Sequence, residues 1–255
     1  GGAPAWTDPR EQGLIPDVYI AMGQTAENVA SFTGISREDQ DRWSVLSQNR
    51  AEEAINAGFF EREIDPVTLP DGSTVNTDDG PRAGTTYEKV SQLKPVFRPD
   101  GTITAGNACP LNDGAAALVI MSDSKAKQLG LTPLARVVAT AATGLSPEIM
   151  GLGPVEASKQ ALQRAGLSIG DIDLMEVNEA FAAQVIPSVR DLGIDADKVN
   201  VNGGAIALGH PIGMSGARLA LTLAYELKRR GGGTGAAALC GGGGQGDALI
   251  LHVPA

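Results

Sequence analysis

The chain has 255 residues, 42% of them apolar and 4% aromatic, and carries a formal net charge of −10. A chain of this length buries a sizeable core, and its apolar content excludes a disordered segment. The acidic balance excludes the basic stripe of a general nucleic-acid binder, while leaving room for a local cluster that holds phosphate.

Two cysteines do not make a disulfide framework, so a reduced, cytoplasmic setting is expected. The longest apolar runs, such as Ala115–Met121 and Ala236–Cys240, fall short of a transmembrane span, and no membrane association is expected. The start, Gly1-Gly2-Ala3-Pro4-Ala5-Trp6, has neither the basic residues nor the apolar run of a signal peptide. Without a Met it is expected to lie inside a longer gene product. Neither a metal nor a permanently bound cofactor is expected.

The first hundred residues hold both tryptophans. Thr25–Thr33 reads as a short helix stopped by Gly34. Ser36 caps a second helix, with Glu38 and Asp39 in its first turn. Trp43, Leu46, Ala54 and Ile55 recur at roughly helical spacing as far as Gly58. From Ile64 to Asp100 the pattern breaks into Pro, Asp and Gly turns, the mark of a loop-rich subdomain. Ala115–Met121 is a continuous apolar run, as suits a strand buried on both faces.

After Thr132 the pattern becomes regular. Strands are predicted at Leu134–Ala142, Ile172–Val177, Val199–Val201, Ala236–Cys240 and Ala248–Val253. Helices are predicted at Pro154–Ala165, opened by proline and closed by Gly166, at Glu179–Leu192 with a disturbance at Pro187, and at Ser215–Arg230 with basic residues in its last turn. This order of elements gives an α/β layered domain.

Three short stretches carry chemistry. His210 lies between Gly209 and Pro211, off any periodic apolar face, where an imidazole can face a cavity and move a proton. Cys240 ends an apolar strand and opens a run of four glycines that can turn sharply and present backbone N–H groups. Asn178 follows a strand and precedes a helix; it suits a helix cap, and also a site at the carboxyl edge of a sheet, where α/β ligands bind. Gly241, Gly243 and Gly246 have dinucleotide-site spacing, but a strand follows where that site needs a helix. The stretch Gly204–Gly209 continues His-Pro and not Lys-Ser/Thr, so it is no phosphate loop. Cys109 reads as packing or pocket lining, and His252 as an ordinary strand residue.

The stretches Asn178-Glu179-Ala180-Phe181, Gly203–Pro211 and Cys240–Gly246, in that order, resemble the thiolase family. Met22-Gly23, Thr25–Ala30, Asp79-Gly80-Pro81-Arg82, Thr104–Ala108 and Asn112–Ala117 extend the resemblance over essentially the whole chain. It implies a thiolase-like layered αβαβα fold, present in part, with an inserted loop-rich domain. Residues 1–111 would be the loop domain, 112–131 the returning end of the N-terminal half, and 132–255 the C-terminal domain.

The resemblance also implies acyl transfer between 3-ketoacyl-CoA and CoA, with CoA and acyl-CoA as substrates. His210 would activate the nucleophilic cysteine and line an oxyanion hole, Asn178 would hold that hole's water, Cys240 would exchange the proton, and the backbone N–H of Gly242 would serve a second hole. Met22, Arg82, Phe97, Ala105, Cys109, Ala180 and Phe181 would line the CoA and acyl channel. Ala21, where some biosynthetic members carry His, favours the degradative direction of β-oxidation. A homodimer or homotetramer is expected.

The family's acyl-accepting cysteine belongs to a segment of the N-terminal half-domain, before the loop domain, that nothing in this chain matches, so the chain alone is expected to be inactive. A non-catalytic subunit that binds CoA thioesters would have no need of His210, Cys240 and Asn178 together. A ketoacyl synthase pairs two histidines with its cysteine and would lack the terminal Cys240 motif.

Overall fold

The computed structural model describes residues 8–255. Helix α1 spans Met22–Thr33 and ends where Gly34 takes the left-handed conformation at φ 70°, which costs glycine no Cβ clash. Helix α2, Arg37–Asn56, opens with a capping box: the Ser36 hydroxyl accepts from the Asp39 amide, and the Asp39 carboxylate accepts from the Ser36 amide. Its buried face carries Trp43, Ser44, Ser47, Gln48, Ala51 and Ala54.

The stretch that follows has little regular structure, as its turn residues predict. It contains the two-residue strands β1 (Val67–Thr68) and β2 (Thr74–Val75), paired antiparallel, and the single-turn helix α3 (Tyr87–Val90). Its last part is fastened to α1 by the buried carboxylate of Glu27, which accepts from the backbone N–H groups of Thr102 and Ile103 at 3.0 Å.

Ala115–Met121 departs from expectation. It forms no strand and is exposed throughout, with Val119 87% and Ile120 78% accessible. The apolar run encodes a demand for burial, but among the described residues no strand lies alongside to satisfy it. Helix α4 (Asp123–Gln128), capped by the Ser122 hydroxyl, follows.

The remainder is built on one sheet. Its strands are β3 (Arg136–Gly144), β4 (Leu174–Val177), β5 (Gly233–Gly241) and β6 (Gln245–Val253), in the spatial order β3-β6-β5-β4. β4 and β5 run parallel, and the other pairs are antiparallel. Helix α5 (Gly153–Ala165) and helix α6 (Ala182–Leu192) share one apolar core with the sheet, through Ala157, Ala161, Val185, Val189, Met175, Val177 and Ile250. After the single turn α7 (Ala205–Leu208), helix α8 (Ser215–Arg229) packs Leu219, Leu223 and Leu227 against Leu174, Ala237 and Leu251 in a second core.

Two local departures position the site. α6 begins at Ala182 and not at Glu179, because residues 178–181 stay out of the helix: Phe181 is extended and forms an antiparallel bridge with Ala108, and the Ala182 amide donates to the Asn107 carbonyl. Asn178 is therefore not the cap of α6. The expected strand at Val199–Val201 is reduced to one bridge, Met175 with Val199. The next residue, Asn200, turns the chain at φ 49°, and its carboxamide takes over the strand's pairing by accepting from the Val177 amide and donating to the Val177 carbonyl.

Candidate active site

β4 delivers Asn178 to the carboxyl edge of the sheet. The Asn178 amide donates to the Ala238 carbonyl at 2.9 Å, so it is held against β5 two residues before Cys240. The residue is fully buried, yet neither its Oδ1 nor its Nδ2 has a hydrogen-bond partner among the described residues. A buried carboxamide left this way costs free energy unless it meets water or a ligand.

His210 follows a strained turn. Gly209 sits at φ 87°, and a Cβ there would fall 2.4–2.7 Å from the Asn112 carboxamide, so only glycine fits. Asn112 Oδ1 accepts from the His210 amide at 2.9 Å. The ring's Nδ1 lies 2.6 Å from the hydroxyl of Ser215. Arg218, one turn along α8, donates to the carbonyls of Leu208 and Gly209 and ties the loop to the helix. Burial first, and the Arg218 charge second, hold the imidazole below its ordinary pKa. It is thus neutral near pH 7, as a base must be.

Cys240 is buried at the end of β5, and burial pushes its thiol up to about 12, with Cys109 adding to the shift. Cys109 is half-buried; its amide donates to the Ala180 carbonyl, and burial raises its thiol to about 11. A thiol this far above neutrality is a proton donor at rest and not a ready nucleophile. Gly242 is exposed in the β5–β6 turn, where its carbonyl accepts from the Gln245 side chain. The glycines after it answer to packing: a Cβ on Gly244 would lie 2.1 Å from the Leu145 carbonyl oxygen, and one on Gly246 2.1 Å from that of Gly153.

The expected channel residues fall into two groups. Ala180 and Phe181 pack with Cys240, Ile103 and Met150. The Phe181 ring meets Phe97 edge-on at 6.2 Å, and Phe97 in turn lies over Gly23, next to half-exposed Met22. Arg82 and Ala105 belong instead to an open cavity of about 770 Å³, whose wall includes Ala108, Asn112, Leu208 and Gly209. Cys109, hydrogen-bonded to Ala180, lies between the two groups.

Comparison with known proteins accounts for this arrangement. The thiolase C-terminal domain matches residues 131–253, and the thiolase N-terminal domain matches residues 8–124. The chain belongs to the thiolase family. Part of the family's N-terminal domain therefore lies within it. An acetyl-CoA acetyltransferase of Pseudomonas aeruginosa is 55% identical over 234 residues, 90% of this chain and 60% of that protein. One of Cupriavidus necator is 55% identical over 242 residues, 92% of this chain and 62% of that protein. The chain thus spans about 60% of the length of the curated relatives it matches. The crystal structure of the Bacillus anthracis acetyl-CoA acetyltransferase superposes with a TM-score of 0.90 at 47% identity, over 96% of this chain and 64% of that one. Human mitochondrial 3-ketoacyl-CoA thiolase in complex with CoA does so with a TM-score of 0.87 at 45% identity, over 97% and 60%. The α/β fold is thiolase-like.

The residues that support the candidate site stand out less in the sequence. The buried Glu179 carboxylate collects the Trp43 indole, the Ser47 hydroxyl, the Asn200 carboxamide and the Ile206 amide, and so joins α2, the Asn178 loop and the turn leading to His210. Ser215 and Arg218 brace His210 and its loop from one helix. A charged residue amid apolar neighbours was the available signal for Glu179. Ser215 gave none beyond a hydroxyl near a helix start.

Proposed function

We propose that this chain supplies the acid/base and oxyanion-binding machinery of a thiolase that transfers an acyl group between 3-ketoacyl-CoA and CoA. The observation that carries the reading is Asn178: a buried carboxamide without a partner among the described residues, pinned by its own backbone to the strand that carries Cys240. It suits a bound water that donates to an oxyanion.

In this reading a cysteine thiol from polypeptide outside these 255 residues gives its proton to His210 Nε2 and attacks the 3-keto carbonyl as the thiolate. The C2–C3 bond breaks. The acyl group stays on that cysteine, and the electron pair becomes the enolate of acetyl-CoA, whose oxygen faces His210 and the Asn178 water. The raised pKa of Cys240 keeps its proton in place until carbon takes it. The Cys240 thiolate then removes the proton of incoming CoA, whose sulfur attacks the acyl-enzyme; the nucleophilic cysteine is expelled as a thiolate, takes its proton back from His210, and acyl-CoA leaves. The Gly242 N–H would receive the oxyanion of that second step. The open cavity beside Arg82 offers room and a cation for CoA. The two bacterial relatives described above carry the acetyl-CoA acetyltransferase name, so acetoacetyl-CoA is the first substrate to test.

The test is thiolysis by this chain assembled with a nucleophile-bearing thiolase segment. Cys240→Ala is expected to lower turnover by at least ~10²-fold, the usual worth of a general acid/base, with acyl-enzyme still seen by mass spectrometry. Near wild-type turnover by that variant would remove Cys240 from the mechanism.

A further inference from the structure

Ser215 opens α8 and is fully buried. Its Oγ lies 2.6 Å from His210 Nδ1 and 3.0 Å from the carbonyl oxygen of Pro211, four residues back. A hydroxyl has one proton and can accept as well as donate. The Pro211 carbonyl can only accept; it takes the Met214 and Ser215 amides and has the Ser215 hydroxyl within donating distance as well. With its proton turned to Pro211, Oγ presents a lone pair to Nδ1, and Nδ1 carries the ring proton.

We propose that Ser215 is a positioning residue that locks neutral His210 in the Nδ1–H tautomer and leaves Nε2 as the free base. The partner of one ring nitrogen decides the protonation of the other. Here the partner is itself held in place, because the helix start fixes Ser215 and its hydroxyl faces the Pro211 carbonyl. The other groups around the ring do not compete for Nδ1. Asn112 takes the His210 backbone amide, and the Arg218 guanidinium is spent on the Leu208 and Gly209 carbonyls. Without Oγ, Nδ1 would have no acceptor for its proton, which could move to Nε2 and block the base.

The consequence for rate rests on His210 being the base of the proposed thiolase reaction. The tautomer itself does not, and it can be read without activity. The chain holds two histidines, His210 and His252, so ¹⁵N imidazole spectra of the labelled chain contain two rings, assigned with His252→Gln. Wild type is expected to show His210 with a protonated Nδ1 and an unprotonated Nε2 above its pKa. Ser215→Ala should move His210 toward the Nε2–H form, and Ser215→Thr, which keeps the hydroxyl, should restore Nδ1–H. A wild-type spectrum with protonated Nε2, or an Ala variant that keeps Nδ1–H, overturns the proposal. The wild-type spectrum decides even if the Ala variant fails to fold. In the assembled enzyme Ser215→Ala should lower kcat by ~10²-fold or more, as wrong-tautomer variants do, with KM little changed. If the tautomer moves and kcat does not, Ser215 acts as proposed and His210 is not the base. If His210→Ala is inactive while Ser215→Ala keeps its tautomer, the site reading survives and the positioning role falls.

Discussion

The indole N–H of Trp43 donates to Oε1 of Glu179 across 2.9 Å, although 136 residues separate the two in the chain. The other carboxylate oxygen takes the Ser47 hydroxyl at 2.6 Å and the Ile206 amide at 3.2 Å, while Asn200 Nδ2 shares Oε1 at 2.9 Å. One buried carboxyl group thus holds four donors from three separate stretches. Space around it is tight: a Cβ on Gly204 would fall within 2.1–2.5 Å of the carboxylate.

Glu179→Ala leaves those donors buried without an acceptor. Each stranded group costs ~1–3 kcal/mol, so a loss of at least about 3 kcal/mol is expected in urea unfolding. Because the same residue adjoins Asn178 and braces the turn before His210, turnover of the assembled enzyme should fall as well. A midpoint within error of wild type would show that water replaces the carboxylate and that the network is not a brace.

Stability should depend on pH through the carboxylates around Arg218. Burial pushes Glu63 up to about 7, against the Thr222 hydroxyl and Arg218, with Asp78 and Glu226 adding to the rise. Glu176 is likewise raised well above the usual range, chiefly by burial. Between the unfolded carboxylate value, near 4.5, and about 7 the folded state binds more protons than the unfolded one, so stability falls as pH rises through that window. His210, with a lowered pKa, works in the opposite sense below its ordinary value. Glu63→Gln removes only the Glu63 share. Relative to wild type it should gain stability as pH increases from about 5 to about 7.5, with the largest gain at the upper end. Thermal melts at several pH values check this, and wild-type and variant curves that run parallel would contradict it.

Much of this architecture is legible in the residues, and the exceptions share a cause. The Ser36 cap, the Gly34 and Gly166 stops and the apolar stretches of β5 and β6 are local signals and give the right elements. Ala115–Met121 reads as a buried strand because composition reports what a segment would bury, not whether a neighbouring strand is there to receive it. Asn200 at φ 49° has no local mark, since its conformation follows from pairing its side chain with the Val177 backbone. Asn178, His210 and Cys240 stand out because each breaks the small-residue pattern around it. Glu179, Ser215 and Arg218 act through contacts that only the fold creates.

Neither cysteine should alkylate readily. With thiols at about 11 and about 12, the thiolate fraction at pH 8 is on the order of 10⁻³ for Cys109 and 10⁻⁴ for Cys240, against roughly a quarter for a free thiol. Iodoacetamide should therefore modify both at least ~10²-fold more slowly than free cysteine, with Cys240 the slower. The same property predicts no acyl-enzyme when the chain alone meets acetoacetyl-CoA. Mass spectrometry reads both results, and an acyl adduct on either residue would make that cysteine the nucleophile.

The exposed run from Leu111 to Met121 should make the isolated chain self-associate. Leu111 is 99% accessible, Val119 87% and Ile120 78%, and Ala115–Met121 presents contiguous apolar side chains on backbone outside any strand or helix. Such patches are covered in stable assemblies, and backbone without a pairing partner adds unpaired N–H and C=O groups to the attraction. Sedimentation should rise with concentration for wild type. The double substitution Val119→Lys, Ile120→Lys should suppress that rise while leaving the melting temperature within about 2 °C, because side chains already in solvent contribute little to folding. It should also weaken recovery of thiolysis on mixing with the nucleophile-bearing segment, if the run is covered in the assembled enzyme. A wild-type chain that stays monomeric at tens of micromolar would mean that this apolar surface is tolerated in water, and that the demand for burial encoded by Ala115–Met121 is weaker than its composition implies.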